Sequence, residues 1–126
     1  MKKVLIESKK APEALGPYSQ AVSINGFLFL SGQIGINPEN GKIAKGDVPA
    51  QTKQIFSNIK NVLAADNCTL NDIVKVTVFL KNMDDFSLVN SIYAEYFTKP
   101  YPARSAVQVA RLPLDVDIEI ETIATK

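Results

Sequence analysis

Ala21-Val22-Ser23-Ile24-Asn25-Gly26-Phe27-Leu28-Phe29-Leu30-Ser31 holds two short apolar runs joined by Asn25-Gly26. Both linking residues tolerate positive φ, so the segment predicts a β-hairpin. Upstream, Val4 to Glu7 reads as a short first strand. Ala11 to Gln20, with Pro12, Gly16 and Pro17, reads as a loop. Downstream, Gly32 to Gly46 carries four glycines and Pro38 and predicts a long connection. Between Val48 and Asp66 the apolar positions Ile55, Phe56, Ile59, Val62 and Leu63 step by three and four, a helical stripe. Asp47 is placed to cap that helix, with Pro49 in its first turn. Ile73 to Leu80 alternates Val74, Val76, Val78 and Leu80 with Lys75, Thr77 and Phe79, the period of a strand. Asp84-Asp85 opens a second helix, where negative charge suits the helix dipole. Its stripe is Phe86, Val89, Tyr93, Tyr96 and Phe97, and Pro100 is expected to end it. Arg104 to Ala110 and Val116 to Thr125 complete the order β-ββ-α-β-α-ββ. That is an α+β fold, not a doubly wound one.

The chain shows no repeat, low-complexity tract or linker, so residues 1–126 read as one domain. Hydrophobic residues make up 46% and charged residues 21%, as in a globular domain able to bury a core. Fourteen Lys and Arg against thirteen Asp and Glu leave a net charge of +1, which argues against a strongly basic nucleic-acid binder. The absence of histidine excludes His triads, His-ligated zinc and His proton shuttles. One cysteine, Cys68, excludes an intramolecular disulfide and a Cys-cluster metal site, and it reads as structural or incidental. No apolar run reaches the roughly 20 residues of a membrane span. Met1 to Glu7 meets a charge too soon for a signal peptide, so the expected compartment is the reducing cytoplasm.

Two helices can cover one side of such a sheet. On the last strands Val107 and Val109 share a face, as do Val116, Ile118 and Ile120. The opposite face is expected to carry Arg104, Ala106, Gln108, Glu119, Glu121 and Ile123. With Phe27, Phe29, Ser31 and Phe79 on that same side, the face mixes large apolar groups with charges. Another copy of the chain is its simplest cover, which predicts a symmetric homo-oligomer.

Arg104 follows the stiff segment Pro100-Tyr101-Pro102-Ala103, so its planar fork starts from a defined backbone position. It suits a carboxylate clamp, or a structural pair with Glu119 or Glu121. Glu119 and Glu121 project on one side of the last strand. Either is placed for acid–base work if desolvated, or for an ordinary solvated strand face. Ser31-Gly32-Gln33-Ile34-Gly35 offers a hydrogen-bonding hydroxyl and a close-approach glycine, or a plain turn. It lacks the basic residues and helical flanks of a KH clamp, and it is neither a phosphate loop nor a dinucleotide fingerprint. Tyr18 either lines a pocket or closes the core, and Asn90, on the polar side of the second helix, is either a solvated surface residue or a contact. No lysine sits in an apolar window fit for a Schiff base.

Several segments resemble, in order and spacing, the RidA/YjgF family of reactive-intermediate (enamine/imine) deaminases. They are Gly16-Pro17-Tyr18-Ser19-Gln20-Ala21, Leu30-Ser31-Gly32-Gln33-Ile34-Gly35, Pro102-Ala103-Arg104-Ser105, Val109-Ala110-Arg111-Leu112-Pro113 and Ile118-Glu119-Ile120-Glu121. The resemblance spans essentially the whole chain. It implies a chorismate-mutase-like α+β protomer, one mixed sheet with two helices on one face, and a homotrimer with ligand clefts between subunits. It also implies hydrolysis of 2-imino acids (2-iminopropanoate, 2-iminobutanoate) to 2-oxo acids and ammonia, a metabolite damage-control task beside amino-acid metabolism, without cofactor or metal. On that analogy Arg104 holds the substrate carboxylate and Glu119 orients water. Tyr18, Ser31, Gly32, Asn90 and the backbone of Ala106 line the cleft. Ala106 is a departure, since family members often carry Cys there. The presence of Arg104 places the chain with the active group. Two other readings remain at this point: a regulatory trimer that binds 2-oxo or amino acids without turnover, and an RNA-acting translation inhibitor. Neutral charge and the lack of an aromatic platform weigh against the latter, and nothing in the residues speaks for a holdase.

Overall fold

Asn25 and Gly26 take φ values of 52° and 81°, and Ile24 pairs with Phe27, so the expected hairpin forms around them. The computed structural model describes residues 2–126; Met1, part of the stretch read for an export signal, lies outside them. The strands are β1 (Val4–Ile6), β2 (Ala21–Ile24), β3 (Phe27–Gln33), β4 (Ile36–Asn37), β5 (Lys42–Ile43), β6 (Ile73–Leu80), β7 (Ala103–Gln108) and β8 (Ile118–Thr125). The helices are α1 (Val48–Ala64) and α2 (Phe86–Tyr96). Six strands form one sheet in the order β1-β2-β3-β8-β6-β7. Every pair in it is antiparallel except β6 with β7, which are parallel and joined through α2.

Both helices pack on one face. Ile55, Phe56, Ile59, Val62 and Leu63 of α1 are fully buried against Leu28, Val76, Val78, Ile118 and Ile120 from the sheet. Phe56 touches α2 through Tyr93 and Tyr96 and reaches Phe97 just beyond it, with ring centroids 6.0, 4.4 and 5.7 Å away. A reciprocal pair ties the helix layer to the start of β8. Gln51 Nε2 donates to Asp117 Oδ2 at 2.9 Å, and Asp117 N–H donates to Gln51 Oε1 at 3.0 Å.

Some expectations change. Asp47 occupies the cap position of α1, but its side chain makes no capping hydrogen bond. Asn82 caps the turn ahead of α2, its Oδ1 accepting from the Asp84 N–H at 2.9 Å. Helix α2 ends at Tyr96 with Phe97 already extended, so Pro100 is not what stops it. The glycine-rich connection contains the two-residue strands β4 and β5.

The largest correction concerns β7. Ala106 pairs with Val78 and packs on the core, whereas Val107 pairs with Phe79 and is exposed. Arg104, Ala106 and Gln108 therefore lie on the helix-covered side, opposite Glu119 and Glu121. Pairing to β6 sets the facing of an edge strand more firmly than its own weak hydrophobic pattern does. The other face is open, as expected. Leu5, Phe27, Phe29 and Val107 lie on it with relative exposures of 55, 42, 41 and 42%.

Candidate active site

Arg104 sits near the start of the edge strand β7, in register with Val76. Its Nη1 donates to Asn90 Oδ1 at 2.8 Å. Its guanidinium carbon lies 4.6 Å from the centroid of the Tyr93 ring and 5.2 Å from that of Phe86. Asn90 and Tyr93 reach the same side chain because they are three residues apart on α2. Asn90, Tyr93, Ala94, Tyr101, Pro102 and Arg104 line a cleft of about 400 Å³. Burial pushes the Tyr93 phenol up, and the neighbouring Arg104 charge offsets part of that, so the ring faces the cation as a neutral phenol. Among the described residues Arg104 forms no ion pair, and no structural bridge to Glu119 or Glu121 exists within the protomer.

Glu119 projects from β8 on the open side, paired with Phe79. It meets β3 where the register shifts between Leu30 and Gln33. A Cβ on Gly32 would stand 2.8 Å from Glu119 Oε2, so the missing side chain is what leaves room for the carboxyl group. Burial raises the Glu119 pKa, and the negative charge of Glu121 raises it further. Ser31 holds the neighbouring loop. Its hydroxyl donates to the Ser19 carbonyl at 2.6 Å, and its N–H donates to the Gln20 carbonyl at 2.9 Å. Buried Gln20 fastens the same loop from below, accepting from Ser8 N–H at 2.7 Å and donating to the Pro12 carbonyl at 2.8 Å. Tyr18 rides on that loop. With Leu15, Ser31, Gly32, Pro113 and Glu119 it lines a second cavity of about 440 Å³.

The structure thus brings together Arg104 with Asn90, and separately Tyr18, Ser31 and Gly32 with Glu119. It does not join the two groups in one protomer, because the sheet lies between them. Ala106 is on the Arg104 side with its methyl turned to the core. Tyr93 and Tyr101 were not expected as lining residues. The apolar stripe of α2 accounts for Tyr93 as core, and only its spacing of three from Asn90 hints at a second role. Leu15 and Pro113 carry no comparable signal. Among the described residues no three His, Cys, Asp or Glu side chains cluster as a metal site. Cys68 is buried. Burial raises its thiol pKa, and the charges of Asp72 and Asp66 add to the shift, both of which disfavour the nucleophilic thiolate.

Comparison with known proteins agrees with the motif spacing. Residues 8–126 match the family model described as Endoribonuclease L-PSP. The chain belongs to the RidA/YjgF family. A RutC family protein of Pyrococcus abyssi is 52% identical over 126 residues, covering 100% of this chain and 99% of that one. The 2-iminobutanoate/2-iminopropanoate deaminase of Bos taurus is 44% identical over 122 residues, covering 97% of this chain and 89% of the relative. The crystal structure of E. coli TdcF with bound serine superposes with a TM-score of 0.93 at 43% identity, covering 98% of this chain and 99% of that one. No helix among the described residues of this RidA/YjgF member is long and apolar enough to cross a membrane.

Proposed function

We propose that the chain hydrolyses 2-imino acids to 2-oxo acids and ammonia in clefts built between subunits of a homotrimer. The observation that carries this reading is the division of the candidate site. A guanidinium held ready for a carboxylate stands on one side of the sheet, and a carboxyl group with raised pKa stands on the other. Each lines an open cavity. Packing one protomer's open face against another covers Leu5, Phe27, Phe29 and Val107 and offers a route for the two groups to meet. The named deaminase relative supports the substrate class.

The chemistry suits these residues. A 2-imino acid is already electrophilic at its imine carbon, so it needs positioning and proton transfer more than a strong nucleophile. The Arg104 fork binds the carboxylate in two-point fashion and sets the imine carbon relative to the carboxyl group. Glu119 takes a proton from water as the oxygen bonds to carbon. It passes that proton to the imine nitrogen to give the carbinolamine, then moves the hydroxyl proton to the same nitrogen as the carbon–nitrogen bond breaks, leaving the 2-oxo acid and ammonia. A carboxyl group with raised pKa serves both steps near neutral pH better than one of ordinary acidity. Neither step calls for a cofactor or metal. A cytoplasmic setting belongs to the same reading and agrees with the buried free thiol of Cys68.

The test is release of ammonia and 2-oxo acid from freshly generated 2-iminopropanoate and 2-iminobutanoate. Turnover above the spontaneous rate supports the reading, and its absence overturns it. TdcF was crystallised with bound serine, so binding without turnover is the second reading. A Glu119→Gln variant that keeps ligand affinity and loses turnover decides for the enzyme.

A further inference from the structure

We infer that Tyr93 is a positioning residue for Arg104, its ring being the platform that fixes the plane in which the guanidinium meets a carboxylate. The inference rests on the proposed role of Arg104. An arginine at an exposed strand edge ordinarily samples many rotamers, and holding one of them costs entropy at the moment of binding. Here three contacts fix it beforehand. Tyr93 lies 4.6 Å from the guanidinium carbon, Phe86 lies 5.2 Å from it, and Asn90 Oδ1 accepts from Nη1. Tyr93 is itself packed in place, being buried against Phe56 and Phe97 at centroid distances of 6.0 and 4.6 Å. Its hydroxyl oxygen is buried with no hydrogen-bond partner. The cost of that unpaired group makes the phenol a poor choice for a purely apolar core position. The ring face, not the hydroxyl, touches the cation. Among the described residues Asn90 is the one hydrogen-bond partner of the Arg104 side chain, which leaves the other N–H groups of the fork for a ligand.

The experiment compares Tyr93→Leu and Tyr93→Phe for affinity toward 2-oxobutanoate by calorimetry, and for the ring-current shift of the Arg104 Nε proton by NMR. Loss of the aromatic face should weaken 2-oxobutanoate binding about three- to thirtyfold and remove the upfield shift. Phenylalanine should restore both, to within about threefold in affinity. Where leucine unfolds the core, Phe86→Leu replaces it and should loosen binding by a smaller factor. A folded leucine variant with parental affinity and an unchanged shift overturns the inference. So does a phenylalanine variant as weak as leucine, which would assign the role to the hydroxyl. If the parent binds no 2-oxobutanoate, the carboxylate role of Arg104 fails, and the NMR shift alone still decides whether Tyr93 holds the guanidinium.

Discussion

The two halves of the candidate site are built in opposite ways. Arg104 is held by an amide, two aromatic rings and a proline-stiffened approach, with its charge unpaired by any carboxylate. The Glu119 carboxyl group has no hydrogen-bond partner among the described residues and occupies space that a side chain at Gly32 would contest. The guanidinium half is held by several contacts; the carboxyl half is permissive and has a raised pKa. A binding group gains from being fixed before the ligand arrives, whereas a proton-transfer group gains from an acidity near the working pH. Under the proposed function, the difference suits one half to recognition and the other to chemistry.

The contrast is broken most severely at Arg104. Both Arg104→Ala and Arg104→Lys should lower kcat/KM by roughly 30- to several-thousand-fold, the cost of removing a partly desolvated charge contact of about 2–5 kcal/mol. Lysine keeps the charge but loses the planar paired donors, so it should fail almost as badly. Melting temperature should stay near that of the parent, since the side chain is exposed and unbridged. A stable lysine variant with near-normal kcat/KM would remove Arg104 from recognition.

At Gly32 the expected effect is smaller and falls on the other half. In Gly32→Ala the new Cβ displaces Glu119 Oε2, which it would otherwise approach to 2.8 Å. Because the obstructing atom ends a flexible side chain, stability should change little. A misplaced proton-transfer group should lower kcat about ten- to a hundredfold. Unchanged kcat would show that the position of Glu119 does not matter to turnover.

The smallest effect is thermodynamic and separates the halves by pH. With the Glu119 pKa raised in the folded chain, the native state binds the extra proton, and stability falls as pH rises above the ordinary glutamate value of 4.5 through the raised one. Glu119→Gln removes that penalty. It should melt slightly higher than the parent at neutral pH, by less than about 1 kcal/mol after solvent screening. The difference should vanish below the ordinary value. A Glu119→Gln variant less stable than the parent at pH 7, or an advantage independent of pH, would contradict the raised pKa.

Local features read directly from the residues. Asn25-Gly26 specifies its turn by positive φ, and the stripe from Ile55 to Leu63 specifies the buried face of α1 by spacing. Both are properties of a few consecutive residues. The facing of β7 was not legible, because Arg-Ser-Ala-Val-Gln alternates too weakly to choose a side and a parallel neighbour chooses for it. The strands β4 and β5, two residues each, are below the length at which periodicity exists. In the site, Arg104, Ser31, Gly32 and Glu119 stand out by chemical type and setting, whereas Tyr18 and Asn90 enter only through the family resemblance. Tyr93 stands out in neither way, since one residue serves both core and cation. Nor could spacing along the chain reveal that the sheet separates Arg104 from Glu119.

That separation makes subunit exchange the most direct test of a site shared between protomers. Arg104→Ala and Glu119→Gln trimers, each inactive alone, are mixed in equal amounts, and exchange into hybrids is confirmed by native mass spectrometry. If each cleft takes Arg104 from one subunit and Glu119 from the next, about one cleft in three of the hybrids, and about one in four of the whole equilibrated mixture, contains both groups. Deaminase activity should then rise from near zero to about a quarter of the parent's. Hybrids that form fully and stay inactive would contradict the account.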